Sequence, residues 1–503
     1  MKEKFILTIV LQTSAYLFSI ITNYIFLLIF EVELLGIWAF INSIINLCFL
    51  FINIGFDFIH FQYSGKQNFN EYFGTFFVIK IILLITNLGF TFFLIILFQI
   101  WTSVYFLYVV ILSISKIIFF INNIFIVNLK TKIKIFKVEF PNFIISLGRN
   151  FSILYLVLNY SNFADPILFL CISYVIFEFL FLGIILFLSK NELKINKFDQ
   201  DLAKGYLKDT RPIVLSSILL IICSNIGNII LNYSFGPKSL GYFYFINNYI
   251  IQILSFISSA FITLYLAIYS QLFEKNQIAS IKNITHLVEK YSSIFFLSII
   301  IIVFLNAELI FSIFLPKYLD TLPILYIMIF IPYFLGIVRP YALHMVPGKK
   351  QAVLSSWNNI NLIITIILLI ILIPKKFLIF NTLGLGVIGY AIALLIPTIL
   401  GTFVCHYFSK KYFNIPSQKS ILLHILLAFL SLLLAFLLKQ YFLIVFFTDQ
   451  LFLLIFSTIL ALLIFIGILF VFNQLNREDI RNVFNLLKFS TYKKSLIKEF
   501  SVY

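Results

Sequence analysis

Apolar runs of about twenty residues alternate with short polar breaks along almost the whole chain. A helix that crosses a bilayer needs roughly 20 mainly apolar residues. Runs of that kind begin near Phe5, Leu35, Phe73, Ser103, Val138, Ile167, Pro212, Gly241, Tyr291, Leu322, Val353, Leu383, Ile421 and Leu451. The pattern predicts an all-α polytopic membrane protein with about fourteen transmembrane helices. The two-residue alternation of a membrane β-barrel is absent. After Ser409 one long apolar stretch is interrupted only at Lys439-Gln440 and Thr448-Asp449-Gln450, so twelve or thirteen crossings are the alternatives. The first run, Phe5 to Phe30, follows Lys2 and Lys4. It is too long for a signal-peptide core and lacks a small-residue cleavage site, which predicts an uncleaved first helix.

Composition agrees with the pattern. Of 503 residues 62% are apolar and 11% charged, against about 25% charged in soluble domains, and the mean hydropathy is +1.07. The 64 phenylalanines read as codon bias of an AT-rich genome, not as an aromatic ligand site. The net charge of +16 is distributed between the apolar runs and forms no groove-sized patch, so nucleic acid is not expected as a partner. Basic residues concentrate on one set of loops: the N-terminus, Lys66, Lys130–Lys137, Lys190–Arg211, Lys275–Lys290, Lys349–Lys350, Lys410–Lys419 and the tail. The alternate loops hold only Lys238, Lys317, Lys375, Lys376 and Lys439. That imbalance places both termini in the cytoplasm, which requires an even number of crossings, and the chain in the cell (inner or plasma) membrane.

Soluble-enzyme chemistry finds no footing. The cysteines Cys48, Cys171, Cys223 and Cys405 lie inside apolar runs without Cys-x-x-Cys spacing, and the five histidines are scattered. Neither a metal site nor a cofactor is expected. No Ser/His/Asp constellation, P-loop or glycine-rich phosphate cradle is present, so the chain is not expected to be an enzyme.

Charge within the spans is the informative chemistry, because an ionisable group in hydrocarbon is costly and faces an interior cavity or a partner. Lys116, Arg149 and Glu178 fall near the middle of their runs, whereas Asp57, Lys80 and Arg339 lie nearer the ends, where long side chains can snorkel. Two readings of the deep group stand side by side. In one, Lys116 and Arg149, with Lys80 and Arg339 at the lip, form a cationic cavity for an anionic ligand. In the other, Glu178 pairs with Lys116 or Arg149 and only joins helices. Glu178 and Asp57 are the carboxylates available for ion coupling or ion pairing. In-span amides such as Asn23, Asn122, Asn123, Asn225, Asn228 and Asn247 suit interhelical hydrogen bonds individually and a wet cavity collectively.

The two halves of the chain resemble each other. Leu35-Gly36-Ile37-Trp38-Ala39-Phe40-Ile41-Asn42 aligns with Leu240-Gly241-Tyr242-Phe243-Tyr244-Phe245-Ile246-Asn247 at a constant offset, the parallel repeat familiar from transporters. The longest polar connection, Ser189 to Thr210, reads as an amphipathic cytoplasmic linker. The expected organisation is an N-terminal lobe over 1–189, a linker over 190–211, a C-terminal lobe over 212–409, two further helices over 410–473 and a cytoplasmic tail over 474–503.

At these residues the sequence resembles the polysaccharide-biosynthesis flippases of the MOP (multidrug/oligosaccharidyl-lipid/polysaccharide) superfamily. Glu33-Leu-Leu-Gly36-Ile-Trp38-Ala39 looks like the opening of that family's second helix, and Asn53-Ile-Gly55-Phe56 like the glycine turn near its end. Gly236-Pro-Lys-Ser-Leu-Gly241-Tyr242-Phe243 is similar to the opening of its eighth helix, and Gly348-Lys349-Lys350 to the turn after its tenth. Gly386-Val-Ile-Gly389-Tyr-Ala391-Ile-Ala393 resembles its twelfth helix, and Arg477-Glu478-Asp479-Ile480 its tail. Where the family often carries a proline late in the eighth helix, this chain reads Leu266-Ala267-Ile268. The resemblance implies two six-helix lobes in a V around a central cavity, plus two C-terminal helices. It implies a flippase for a polyprenyl-pyrophosphate-linked oligosaccharide of O-antigen, capsule or exopolysaccharide synthesis, with H⁺ or Na⁺ as the coupling ion. The alternatives are a small-molecule or drug antiporter of the same superfamily and a membrane glycan polymerase or ligase. The antiporter would call for an acidic cavity, and the polymerase for a large outer loop.

Overall fold

The structure is a computed structural model. It describes Ser14 and residues 18–476, apart from 53, 65–68, 98–102, 133, 135, 191–197, 260–261, 378 and 444–448. The expected start of the first helix at Phe5 and the Arg477–Ile480 segment lie outside the described residues.

Among the described residues the fold is all-helical save for one two-residue-by-two-residue hairpin, Lys376–Phe377 with Phe380–Asn381. Its helices are α1 (Phe18–Ile29), α2 (Val32–Cys48), α3 (Phe56–Ser64), α4 (Phe69–Leu97), α5 (Phe106–Thr131), α6 (Phe136–Leu158), α7 (Pro166–Ser189) and α8 (Gln200–Tyr244). A π-helical stretch, Phe245–Ile251, leads into α9 (Gln252–Ser259), followed by α10 (Ile262–Glu274), α11 (Ile278–Phe314), α12 (Leu322–Met328) and α13 (Phe330–His344). The chain continues through α14 (Gln351–Leu372), α15 (Gly386–Phe413), α16 (Ser420–Leu438) and α17 (Gln450–Val471).

Among the described residues eleven helical stretches are long and apolar enough to cross a membrane, and the two shorter apolar helices α1 and α2 precede them. One of the eleven, Ile213–Phe256, has 44 residues, about 66 Å at 1.5 Å per residue, twice the hydrocarbon core of about 30 Å. It is interrupted at Gly236, whose φ of 83° and ψ of 172° suit only a residue without a Cβ. Counted as two passes it makes twelve among the described residues, with the two shorter apolar helices beside them, in keeping with the about fourteen, or twelve or thirteen, read from the sequence.

Helix ends differ from the hydropathy boundaries. Residues 200–211, expected as part of a linker, are the first turns of α8, capped by Asp199, whose Oδ1 accepts from the backbone N–H groups of Asp201 and Leu202. Lys275–Lys290, expected as a loop, is helical from Ile278 onward. In both places the apolar run marks where hydrocarbon begins, while the backbone hydrogen bonds continue into the polar zone.

The chain divides into two compact units, one made of residues 1–247 and 355–397, the other of 248–354 and 398–503. In the first, α2 packs along α8, and α7 packs against both α5 and α6. The α2–α8 crossing is close because of two glycines. A Cβ at Gly36 would overlap the Pro237 carbonyl, and a Cβ at Gly241 would overlap the Val32 carbonyl. These are the glycines that the repeat alignment pairs. Further along, Asn46 donates to Asn225 at 3.2 Å and Asn228 to Ser43 at 2.8 Å. In the second unit α11 is the central helix, packed against α13, α16 and α17.

Candidate functional site

The three deep charges fall together in the first unit because of how α5 and α7 start. Asp165 caps α7, accepting from Leu168 N–H at 3.0 Å with Pro166 at the first helical position. Its other oxygen accepts from the Tyr108 hydroxyl at 2.7 Å, which ties the beginning of α5 to the beginning of α7. About 20 Å farther on, at 1.5 Å per residue, the same two helices bring Asn122 to Glu178.

There Arg149 of α6 donates from Nη2 to Glu178 Oε1 at 2.5 Å. Asn122 donates from Nδ2 to Glu178 Oε2 at 2.8 Å and to the Glu178 carbonyl at 3.2 Å. The carboxylate side chain is 7% exposed and the guanidinium side chain 29%, so the cation is the partner that faces open space. Its plane lies 5.0 Å from the centre of the Tyr174 ring, and its Nε, although buried, has no hydrogen-bond partner. The space it faces is a cavity of about 280 Å³ lined by Ser19, Asn23, Asn142, Ser146, Asn150 and Tyr174 along with several apolar side chains. The buried Nδ2 of Asn150 is also unpartnered. Lys116 is half-buried on α5, 5.8 Å from the Phe119 ring, and interacts electrostatically with both Glu178 and Arg149. It forms no ion pair among the described residues.

The remaining predicted residues sit elsewhere. Lys80 does not reach outward: its side chain is fully buried, 2.5 Å from Asp57 Oδ1 and 3.3 Å from the Ile52 carbonyl, between the Phe76 and Phe120 rings at 5.6 and 5.1 Å. Asn123 donates to the second Asp57 oxygen at 2.9 Å. Helix α3, which begins immediately after the Gly55 turn, places Asp57 within reach, so the ammonium finds a carboxylate inside the protein. Arg339 belongs to α13 of the second unit, where it lines a separate cavity.

Sequence reasoning missed Glu289. It is fully buried on α11 and accepts from the Tyr341 hydroxyl at 2.6 Å, the Ser417 hydroxyl at 2.6 Å and the Gln418 N–H at 3.1 Å. His406 Nε2 stands 3.7 Å away. Glu289 holds the connection between α15 and α16. Its place beside Lys290 at a hydropathy boundary made it look like a solvated loop residue, and no local motif marks it.

With this geometry in place, the chain was compared with known proteins. Superposed on a solved structure of the lipid II flippase MurJ in an inward closed conformation, it gives a TM-score of 0.69 at 18% identity, over 93% of this chain and 98% of that one. The likeness is one of fold, and it spans nearly the whole of both chains. An inward-facing multidrug-resistance MATE transporter, itself of the MOP superfamily, matches with a TM-score of 0.54 at 12% identity, over 79% of this chain and 95% of that one. No protein-family profile matches the chain, and no curated sequence does. In this fold the helices that carry Arg149, Glu178 and Lys116 form one packed group, and the polar cavity lies against that group.

Proposed function

We propose that this protein is a flippase that moves a polyprenyl-pyrophosphate-linked oligosaccharide from the cytoplasmic to the outer leaflet for surface polysaccharide synthesis. The observation that carries the reading is the Arg149 guanidinium, turned to a polar cavity with donors to spare while its carboxylate partner stays buried. A guanidinium offers a planar fork that matches phosphate oxygens, and Lys116 adds a point charge nearby. The likeness in fold to a lipid II flippase supports it. Transport breaks no covalent bond, so the work falls to binding and alternating access, by rocking of lobes over 1–189 and 212–409 with the helices of 410–473 added. Both termini are cytoplasmic in this reading, and H⁺ or Na⁺ supplies the drive through Glu178 or Asp57. The likeness to a MATE transporter supports a drug antiporter as the second reading, but the charge that Arg149 presents disfavours cationic drugs.

The test is display of finished glycan at the cell surface, normalised to membrane protein. Arg149→Ala loses tenfold or more, as expected for a charged hydrogen bond of about 1.5–3 kcal/mol. Arg149→Lys recovers part, because the charge returns without the fork, and Lys116→Ala costs less. Full display by a well-expressed Arg149→Leu, Glu178→Leu double variant refutes a substrate role for Arg149. Reporter fusions at Lys2, Gln200 and Tyr503 all report the cytoplasm; an outside signal at Gln200 sinks the two-lobe assignment.

A further inference from the structure

The second unit contains a cavity of about 520 Å³ whose chemistry differs from that of the polar cavity beside Arg149. Its walls come from α10, α11 and α13 and are mainly apolar, with Tyr265, Val288, Phe296 and Pro340 among them. Two of its lining residues, Leu287 and Phe295, are 50% and 44% exposed and mark its mouth. Phe295 lies beyond the polar first turns of α11, and on a helix that crosses the membrane such a side chain meets hydrocarbon, so the cavity opens toward lipid at that end.

One cation reaches into this apolar space. Arg339 is half-buried, donates from Nη1 to the Ser255 carbonyl at 3.3 Å, and forms no ion pair among the described residues. A guanidinium carries five N–H donors, and in a lining of this kind an anion answers them best. A free anion would leave the apolar walls without a partner, and an uncharged lipid would leave the guanidinium without one. A molecule with a phosphate at one end and hydrocarbon at the other satisfies both.

We propose that this cavity binds an anionic membrane phospholipid, with its phosphate on Arg339 and an acyl chain along α10, α11 and α13. This site is independent of the flippase reading, since all its walls belong to the second unit and it assigns a bound membrane lipid instead of the transported one.

The experiment is thermal unfolding of the purified full-length protein in neutral detergent, with phosphatidylglycerol, phosphatidylcholine or sodium phosphate added. Phosphatidylglycerol raises Tm by about 2 °C or more over phosphatidylcholine, the scale of a bound ligand on a large domain, and sodium phosphate has no effect. Arg339→Gln abolishes the difference between the two lipids and Arg339→Lys keeps part of it. Leu287→Trp, which narrows the mouth while leaving the cation, also reduces the difference and serves if Arg339→Gln does not accumulate. Equal stabilisation by both lipids overturns the proposal, as does an equal effect of phosphate alone. An undiminished difference in Arg339→Gln overturns it too, because removing one charge from a net +16 does not remove a diffuse attraction to anionic lipid.

Discussion

Two ion pairs of the first unit, Lys80–Asp57 and Arg149–Glu178, are inverted copies of each other in one respect. In Lys80–Asp57 the cation is fully buried and the carboxylate is 26% exposed; in Arg149–Glu178 the carboxylate is 7% exposed and the cation 29%. Each pair therefore shows one sign to its surroundings and keeps the other as internal support. Proximity of opposite charges does not decide what a pair recognises. The partner left exposed does, and only the Arg149 pair offers a cation to a polar cavity.

If this is right, the cost of each substitution follows from which partner it strands. The largest effect belongs to Asp57→Ala, which leaves Lys80 wholly buried with a carbonyl and two aromatic rings. Loss of about 3–5 kcal/mol is expected for such an uncompensated charge, read as failure to accumulate in the membrane, and an Asp57→Leu, Lys80→Met double variant restores expression. Arg149→Ala comes next, because the Glu178 carboxylate keeps its hydrogen bond from Asn122 Nδ2. A loss of about 2–3 kcal/mol in detergent melts is expected, below that of Asp57→Ala. Equal losses would remove the inversion as an explanation.

Substitutions of the buried partners are the milder set. Lys80→Met leaves Asp57 with Asn123 and partial exposure, and a loss of about 1–2 kcal/mol is expected. Glu178→Gln is the smallest in stability, since an amide still accepts from Asn122 and Arg149 gains access to the cavity. Its sharper readout is ion dependence: if Glu178 carries the coupling ion, gradient-driven display is lost while protein level holds, and unchanged dependence returns Glu178 to a supporting role.

How much of this was legible beforehand depends on the kind of signal. Crossing helices announce themselves by length and apolarity, so the all-helical fold and its repeated passes were readable, including the division at Gly236-Pro237. Depth within a run singled out Lys116, Arg149 and Glu178, because only a partner or a cavity makes deep charge tolerable. Orientation of a side chain has no such trace. Nothing in the sequence around Lys80 distinguishes an ammonium that snorkels outward from one turned to Asp57, which sits on a different helix 23 residues earlier. Glu289 was hidden for the opposite reason: its partners Tyr341, Ser417 and Gln418 are neutral and distant along the chain, so a fully buried carboxylate carries the local signature of a loop.

The crossing of α2 and α8 has a wider consequence. Gly36 meets Pro237, the residue four before Gly241, and Gly241 meets Val32, the residue four before Gly36. A contact in which residue and partner exchange places is isologous, the form that a two-fold axis imposes on the interface of a homodimer. Here it lies inside one chain, between repeats offset by 205 residues (Gly36 to Gly241). A true homodimer must carry every charge twice. At the same offset Lys116, Arg149 and Glu178 fall on Thr321, Leu354 and Leu383, so this chain keeps the symmetric crossing while placing that charged trio in one repeat only.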